Sequence, residues 1–197
     1  MEPEKYEKAK ELFMAYGGSI FGMARDNEEH FCTYKSLDVP YETEIEWRKE
    51  IQADVLEQLM QASSNWEKCH LIGEYGYLVE SLKDKEGFQF ILDYIKGNED
   101  SFDSKTMSIC ISRVINMVRN KKDKDKRAVV LNEMLLMLKN LLNKPITVSD
   151  EYRHSGYILQ ESLSVEAIRD SIQRSIEDCE TLLREKKSLL RPWEFFR

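Results

Sequence analysis

Between Asn65 and Leu142 four amphipathic segments follow one another with only short polar breaks: Asn65–Leu82, Lys85–Lys96, Ser104–Asn120 and Asp123–Leu142. Advancing the first pair by 39 residues, from Asn65 to Ser104, lays it on the second. Ile72 then meets Ile111, Tyr75 meets Val114, Val79 meets Val118, Ile91 meets Val130 and Ile95 meets Met134. Apolar residues that recur at helical spacing must be buried, so the pattern predicts an all-α chain with these positions in its core.

A helix-pair period near ~40 residues is the spacing of HEAT-like stacks, whose pairs bury their stripes against neighbouring pairs. Two pairs are fewer than the roughly three such an array needs, which leaves an irregular helical bundle as the other arrangement. Scarce glycine (8) and proline (4) fit long helices better than a sheet protein built on tight turns. At 197 residues the chain suits one domain, expected in three parts: residues 1–39, 40–144 and 145–197.

In the first part, Tyr6, Ala9, Leu12, Phe13 and Tyr16 form a helical face, stopped by Gly17-Gly18. Ser19–Val39 sustains no period and reads as a long loop, ordered by Phe21, Phe31 and Tyr34. Asp38 and Pro40 look like a helix start, followed by a stripe of Ile45, Ile51, Val55, Leu56, Leu59 and Met60. Glu42, Glu44, Glu46 and Glu50 read as the wet face of that helix. Ser63-Ser64-Asn65 breaks it and caps the next.

In the last part, Asp150 can cap a short helix reaching Leu163, interrupted by Gly156. Val165 to Leu190 carries Val165, Ile168, Ile172, Cys179, Leu182 and Leu189 at near-heptad spacing, with Ser175 and Lys186 breaking the seam. That predicts a long C-terminal helix packed along the central block. The closing RPWEFFR is expected to clamp Trp193, Phe195 and Phe196 onto the core, because an exposed cluster of that size invites association.

Charge is uneven. Residues 1–62 hold fourteen Asp or Glu against seven Lys or Arg, 63–120 nine against seven, and 121–197 thirteen against fifteen. An acidic N-terminal third repels nucleic acid and membrane phosphates and draws basic partners. KKDKDKR (121–127), mixed in sign between two apolar helices, reads as a solvated corner. No apolar run approaches the ~20 residues of a membrane span, and MEPEKYEKAK lacks the pattern of a signal peptide, so the expected address is cytoplasmic. Cys32, Cys69, Cys110 and Cys179 form no CxxC pair, and the last three fall on or beside apolar stripes, as buried thiols do.

The chain has no phosphate loop, HExxH motif or GxSxG elbow, and GGSIFG (17–22) follows a helix rather than a strand. Glu28, Glu29, His30 and Cys32 bring metal-ligating types together, with no sign that they converge. The sharpest chemical pattern is a pair of Glu-x-x-His segments, Glu67–His70 and Glu151–His154. In outline this resembles the ferritin-like di-iron proteins, which use two such segments and a glutamate from each of two further helices. That resemblance implies metal ligands Glu67, His70, Glu151 and His154, with Glu133 the one well-placed further glutamate. Helical geometry opposes it. His70 lies roughly 130° from the apolar stripe of its helix, and His154 points nearly opposite Tyr152 and Leu163.

The expectation is therefore a non-enzymatic, metal-free and cofactor-free protein-binding protein. Its concrete form is a cytosolic bacterial inhibitor or immunity-type protein, blocking a basic enzyme with an acidic face. The other classes are a di-iron-like helical-bundle enzyme and a scaffold or regulatory helical-repeat module. The partner face expected is the Ser19–Val39 loop with the outside of the helix Tyr41–Gln61, carrying Asp26, Glu28, Glu29, Glu42, Glu46, Glu50, Asp54 and Glu57.

Overall fold

The computed structural model describes residues 3–119, 123–154 and 160–188, which form α-helices joined by short turns, with no strand among the described residues. The helices are α1 (Pro3–Ala15), α2 (Ile20–Asp26), α3 (Glu28–Ser36), α4 (Tyr41–Gln61), α5 (Asn65–Leu82), α6 (Lys85–Gly97), α7 (Ser104–Arg119), α8 (Lys124–Asn143), α9 (Asp150–His154) and α10 (Val165–Ser188). A 3-10 turn at Gln160–Leu163 precedes α10. Gly156 and the RPWEFFR tail lie outside the described residues. The all-α class and the four central helices are as the periodicity predicts. The chain clusters into two compact units, one of Met1–Ala62 with Glu74–Phe88, the other of Ser63–Gly73 with Gln89–Arg197.

In the first unit, α1 stops where the glycines require it. Gly17 and Gly18 adopt φ of 56° and 75°, and the Gly18 N–H donates to the Phe13 carbonyl at 3.0 Å, closing the helix end. The expected loop Ser19–Val39 is instead two short helices. Ser19 caps α2 by accepting from the Gly22 N–H, and Asn27 both ends α2 and caps α3 by accepting from the His30 N–H. Helices of seven and nine residues are too short to show a sustained apolar period, which is why only their caps mark them. Asp38 does not start α4. It lies in the left-handed region at φ 48°, and Pro40 takes the cap position without a side-chain bond.

The buried face of α4 is also turned from the expected one. Glu44, Trp47, Arg48, Ile51, Val55 and Leu59 are buried, whereas Ile45 and Leu56 are half-buried and Met60 is exposed. Trp47 sets this face: its ring meets Tyr6 edge-on at 5.3 Å and Phe13 at 5.6 Å, and its Nε1 donates to the Tyr6 hydroxyl at 3.0 Å. Glu44 is no wet residue. It accepts from the Tyr34 hydroxyl at 2.9 Å and from Arg48 Nη2 at 3.3 Å, while Arg48 Nε donates to the Gly18 carbonyl and its guanidinium covers the Phe13 ring. Mutual neutralisation lets two charges occupy a face that joins α1, α3 and α4.

Asp84 organises the α5–α6 turn in the same unit. Lys83 takes φ 54°, the Asp84 N–H returns to the Val79 carbonyl, and the Asp84 carboxylate accepts from the Glu86 and Gly87 N–H groups and from Gln52 Nε2. A Cβ at Gly87 would overlap Asp84 Oδ2 and crowd Val79, so the close approach requires glycine.

The second unit is built around α7, which buries residues on nearly every side: Ser104, Thr106, Met107, Ser108, Cys110, Ile111, Val114, Ile115, Met117 and Val118. α8 covers it with Leu131, Met134, Leu138 and Leu141, and α10 with Ile168, Ile172, Ile176, Cys179 and Leu182. The long helix thus packs along α7 and α8 as expected. Ser175, which breaks the heptad pattern, meets Ser112 Oγ at 2.9 Å. Val130 is half-buried, unlike the other repeat-related positions. Arg127 departs from the solvated-corner reading: it is buried and donates to the Arg119 carbonyl at the end of α7 and to the Leu182 carbonyl. Asp123, Lys124, Asp125 and Lys126 are exposed.

Two predictions follow from these polar contacts. Arg48→Ala, leaving Glu44 charged and poorly solvated, costs about 3 kcal/mol in denaturant unfolding, whereas Glu44→Met with Arg48→Met together costs much less. For Asp84, the Gly87 N–H holds the carboxyl below its ordinary 3.8 against the opposing effect of burial. Its contribution is therefore complete above pH ~4 and disappears as pH falls through the lower, folded-state value. Asp84→Ala should cost about 1 kcal/mol at pH 7, and the difference from the parent should shrink in acid melts.

Candidate functional site

All eight predicted partner-binding carboxylates, on α2, α3 and α4, are exposed. Glu42, Glu46, Glu50, Asp54 and Glu57 fall within about 120° of arc on α4, at about 100° per residue. That stripe lies largely opposite the buried face, and α1 still reaches one edge of it: Lys10 Nζ pairs with Glu50 at 2.6 Å. Asp54 and Glu57 accept from Gln58 and Gln61 within the helix. Glu42 and Glu46 have no ion-pair partner among the described residues, and Lys49 is the one cation of α4 along this face. Met60, 65% exposed, extends the same face one turn beyond Glu57.

Asp26, Glu28 and Glu29 have local roles. Asp26 pairs with its neighbour Arg25, whose guanidinium holds the carboxyl below the usual range. Glu28 and Glu29 occupy the first turn of α3, where the helix dipole favours them. His30 Nδ1 lies 2.9 Å from the Tyr16 hydroxyl, and Cys32 is exposed.

The two Glu-x-x-His segments do meet, but at the amino end of α5 and in a capping role. Ser64 Oγ accepts from the Glu67 N–H at 3.1 Å, and Glu67 Oε2 reaches back to the Ser63 and Ser64 N–H groups, a reciprocal capping box. Glu151 Oε2 accepts from the Trp66 N–H at 3.4 Å. His70 is exposed with its ring stacked along Trp66, and Trp66 meets Tyr152 edge-on. The His154 side chain lies outside the described residues. Glu133 pairs with Lys96 at 2.8 Å. Among the described residues no three His, Cys, Asp or Glu side chains are grouped as metal ligands.

A second constellation was not read from the sequence. Cys69 on α5 and Cys110 on α7 are both buried, and each shifts the acidity of the other. The Tyr152 hydroxyl lies 2.7 Å from Thr106 Oγ1. Arg113 donates to the Cys69 carbonyl. Asp103 accepts from the Thr106 and Ser149 N–H groups at 2.6 and 2.7 Å, tying the segment before α9 to the start of α7. The hydrogen bond from Cys110, with help from the Arg113 charge, lowers Cys69 to about 7 against the effect of burial. The same bond and near-complete burial push Cys110 well up. Burial and the carboxylates of Asp178 and Glu180 push Cys179 up to about 12. The sequence signal was present but faint: two cysteines on the apolar stripes of helices already expected to pack in one core.

No family model, curated protein or solved structure matches this chain.

The four thiols should separate by access rather than acidity. Titration of the native protein with a bulky aromatic disulfide reagent should show Cys32 reacting at once, with Cys69, Cys110 and Cys179 appearing only on unfolding. Immediate reaction of two or more thiols would contradict the burial described.

Proposed function

We propose that this chain is a non-enzymatic protein-binding module that docks a basic protein on the acidic face of α4. The observation that carries this reading is the stripe of five carboxylates along a helix of 21 residues, four of them without an ion pair among the described residues and with an exposed methionine at one end. Clustered charge of one sign steers a complementary partner into encounter, and an apolar contact beside it supplies short-range adhesion. The concrete form proposed is a cytosolic inhibitor or immunity-type protein that covers a basic enzyme, such as a nuclease. The capping roles of Glu67 and Glu151 withdraw support from a di-iron enzyme, since those carboxylates are occupied by backbone amides.

The alternative within this reading is that the stripe only solvates α4. Glu42→Lys, Glu46→Lys and Glu57→Lys together separate the two, because none of these side chains is buried or holds another helix. With a basic partner captured from the source cell, the triple variant should associate about tenfold more slowly at low salt, with a flattened dependence on ionic strength. Its thermal melt should match the parent. An unchanged association rate would reduce the face to a solvating role.

A further inference from the structure

We propose that α8 carries a self-complementary face on which a second copy of this chain docks antiparallel, forming a weak dimer. Leu131, Met134, Leu138 and Leu141 set the inward side of α8. On the opposite side Asp125, Val129, Asn132, Leu136 and Lys139 follow at steps of four, three, four and three residues. That spacing keeps them within about 80° of arc. All five are exposed. Val129 and Leu136 are 61% and 62% exposed, and only Val165 joins them as a large exposed apolar side chain among the described residues of their unit. Ion pairs border the stripe on both sides: Glu133 with Lys96 at 2.8 Å on one, Lys139 with Glu180 at 3.2 Å on the other. An apolar centre thus has a polar rim, as interfaces do. This face belongs to the second unit, whereas the acidic stripe lies on α4 of the first, and either can stand without the other.

The order of residues along the stripe points to what covers it. Asp125 and Lys139 each stand seven residues from Asn132, one before it and one after, while Val129 stands three before and Leu136 four after. Turned about a two-fold axis at Asn132, antiparallel copies therefore bring Asp125 of each beside Lys139 of the other, and Val129 of each beside Leu136 of the other. Asn132 meets its own equivalent, and its amide can both donate and accept. A polar residue within an apolar seam also fixes the register. A parallel pairing would instead set Asp125 against Asp125 and Lys139 against Lys139, like charge on like. Lys139 can serve both Glu180 and a second copy, because an exposed pair holds it loosely. One face of one helix falls at or below the roughly 1,000 Å² of a firm interface, so the dimer is expected to dissociate on dilution.

Sedimentation equilibrium of the full chain from about 1 μM to about 1 mM should show a reversible rise from monomer to dimer mass. Leu136→Glu, a change at an exposed position, should weaken the dimer by about tenfold or more and leave the thermal melt unchanged. Exchange of charge reads the register. Asp125→Lys alone puts lysine opposite lysine, and Lys139→Asp alone puts aspartate opposite aspartate, so each should be mostly monomer where the parent is dimer. An equimolar mixture of the two variants restores both pairs and should dimerise again. Cross-linking reads the position, in a chain carrying Cys32→Ser to remove the one exposed thiol. Under mild oxidation Asn132→Cys should give a disulfide-linked dimer and Asp125→Cys should not, since antiparallel copies hold position 125 about 20 Å from its equivalent. A monomer mass at every concentration, a dimer indifferent to Leu136→Glu, a mixture of charge variants no more dimeric than either alone, or equal cross-linking at positions 125 and 132 would overturn the proposal.

Discussion

Burying α7 on nearly all sides is the constraint around which its unit is arranged. A helix so enclosed must satisfy every polar side chain it carries inside the protein, because an unpartnered buried donor or acceptor costs about 1–3 kcal/mol. The polar residues of α7 meet this condition by being small or by closing on nearby backbone. Ser112 donates to the Ser108 carbonyl, Ser104 exchanges bonds with Thr147, Thr106 meets Tyr152, and Arg127 of α8 caps the Arg119 carbonyl at the end of α7. These bonds also set what surrounds the helix. The segment from Thr147 to Tyr152 is placed by Ser104, Asp103 and Thr106, and α10 is aligned by Ser175 against Ser112 and Asp178 against Arg119.

The architecture was legible in the sequence where apolar periods were long. Ile72, Val79, Ile111, Val118 and Met134 are buried as their spacing requires, and four central helix boundaries fall within a residue or two of the pattern. It was not legible where structure rests on single contacts. α2 and α3 are too short to show a period, yet Ser19 and Asn27 stand three residues before the N–H groups they cap. The rotation of α4 was missed because Glu44 and Arg48 look solvent-facing one at a time. Only their pairing, with Tyr34 above and Phe13 beside, makes that face compatible with burial, and such a partner on another helix leaves no local trace.

Candidate chemistry divides the same way. Composition located the acid in the N-terminal third, and α4 orders five of those carboxylates along one side. Glu42 and Glu44, two residues apart, have opposite fates: one lies free on the surface and the other is held inside. Two residues on a helix turn about 200°, so adjacent members of an acidic run cannot share a role. In the Glu-x-x-His segment on α5, by contrast, the glutamate has a capping role. Glutamate three residues after a serine is what a capping box requires, and Ser64 with Glu67 meets that requirement without any metal.

The contact between α5 and α7 shows how packing can place chemistry as a by-product. Close approach of two helices favours small residues, and Gly73 provides it for the Arg113 guanidinium. Cysteine is also small, and it is among the residues most often buried. Volume alone could be met by alanine or serine at these positions. What volume does not explain is the polar setting of Cys69, whose carbonyl accepts from Arg113 and whose thiol is made more acidic by Cys110 and by the Arg113 charge. Cys179, equally buried but beside Asp178 and Glu180, is driven toward the neutral thiol instead. The contrast between two enclosed cysteines in one unit comes first from the hydrogen bond at Cys69 and from the burial that raises Cys179, with neighbouring charges of opposite sign adding to each.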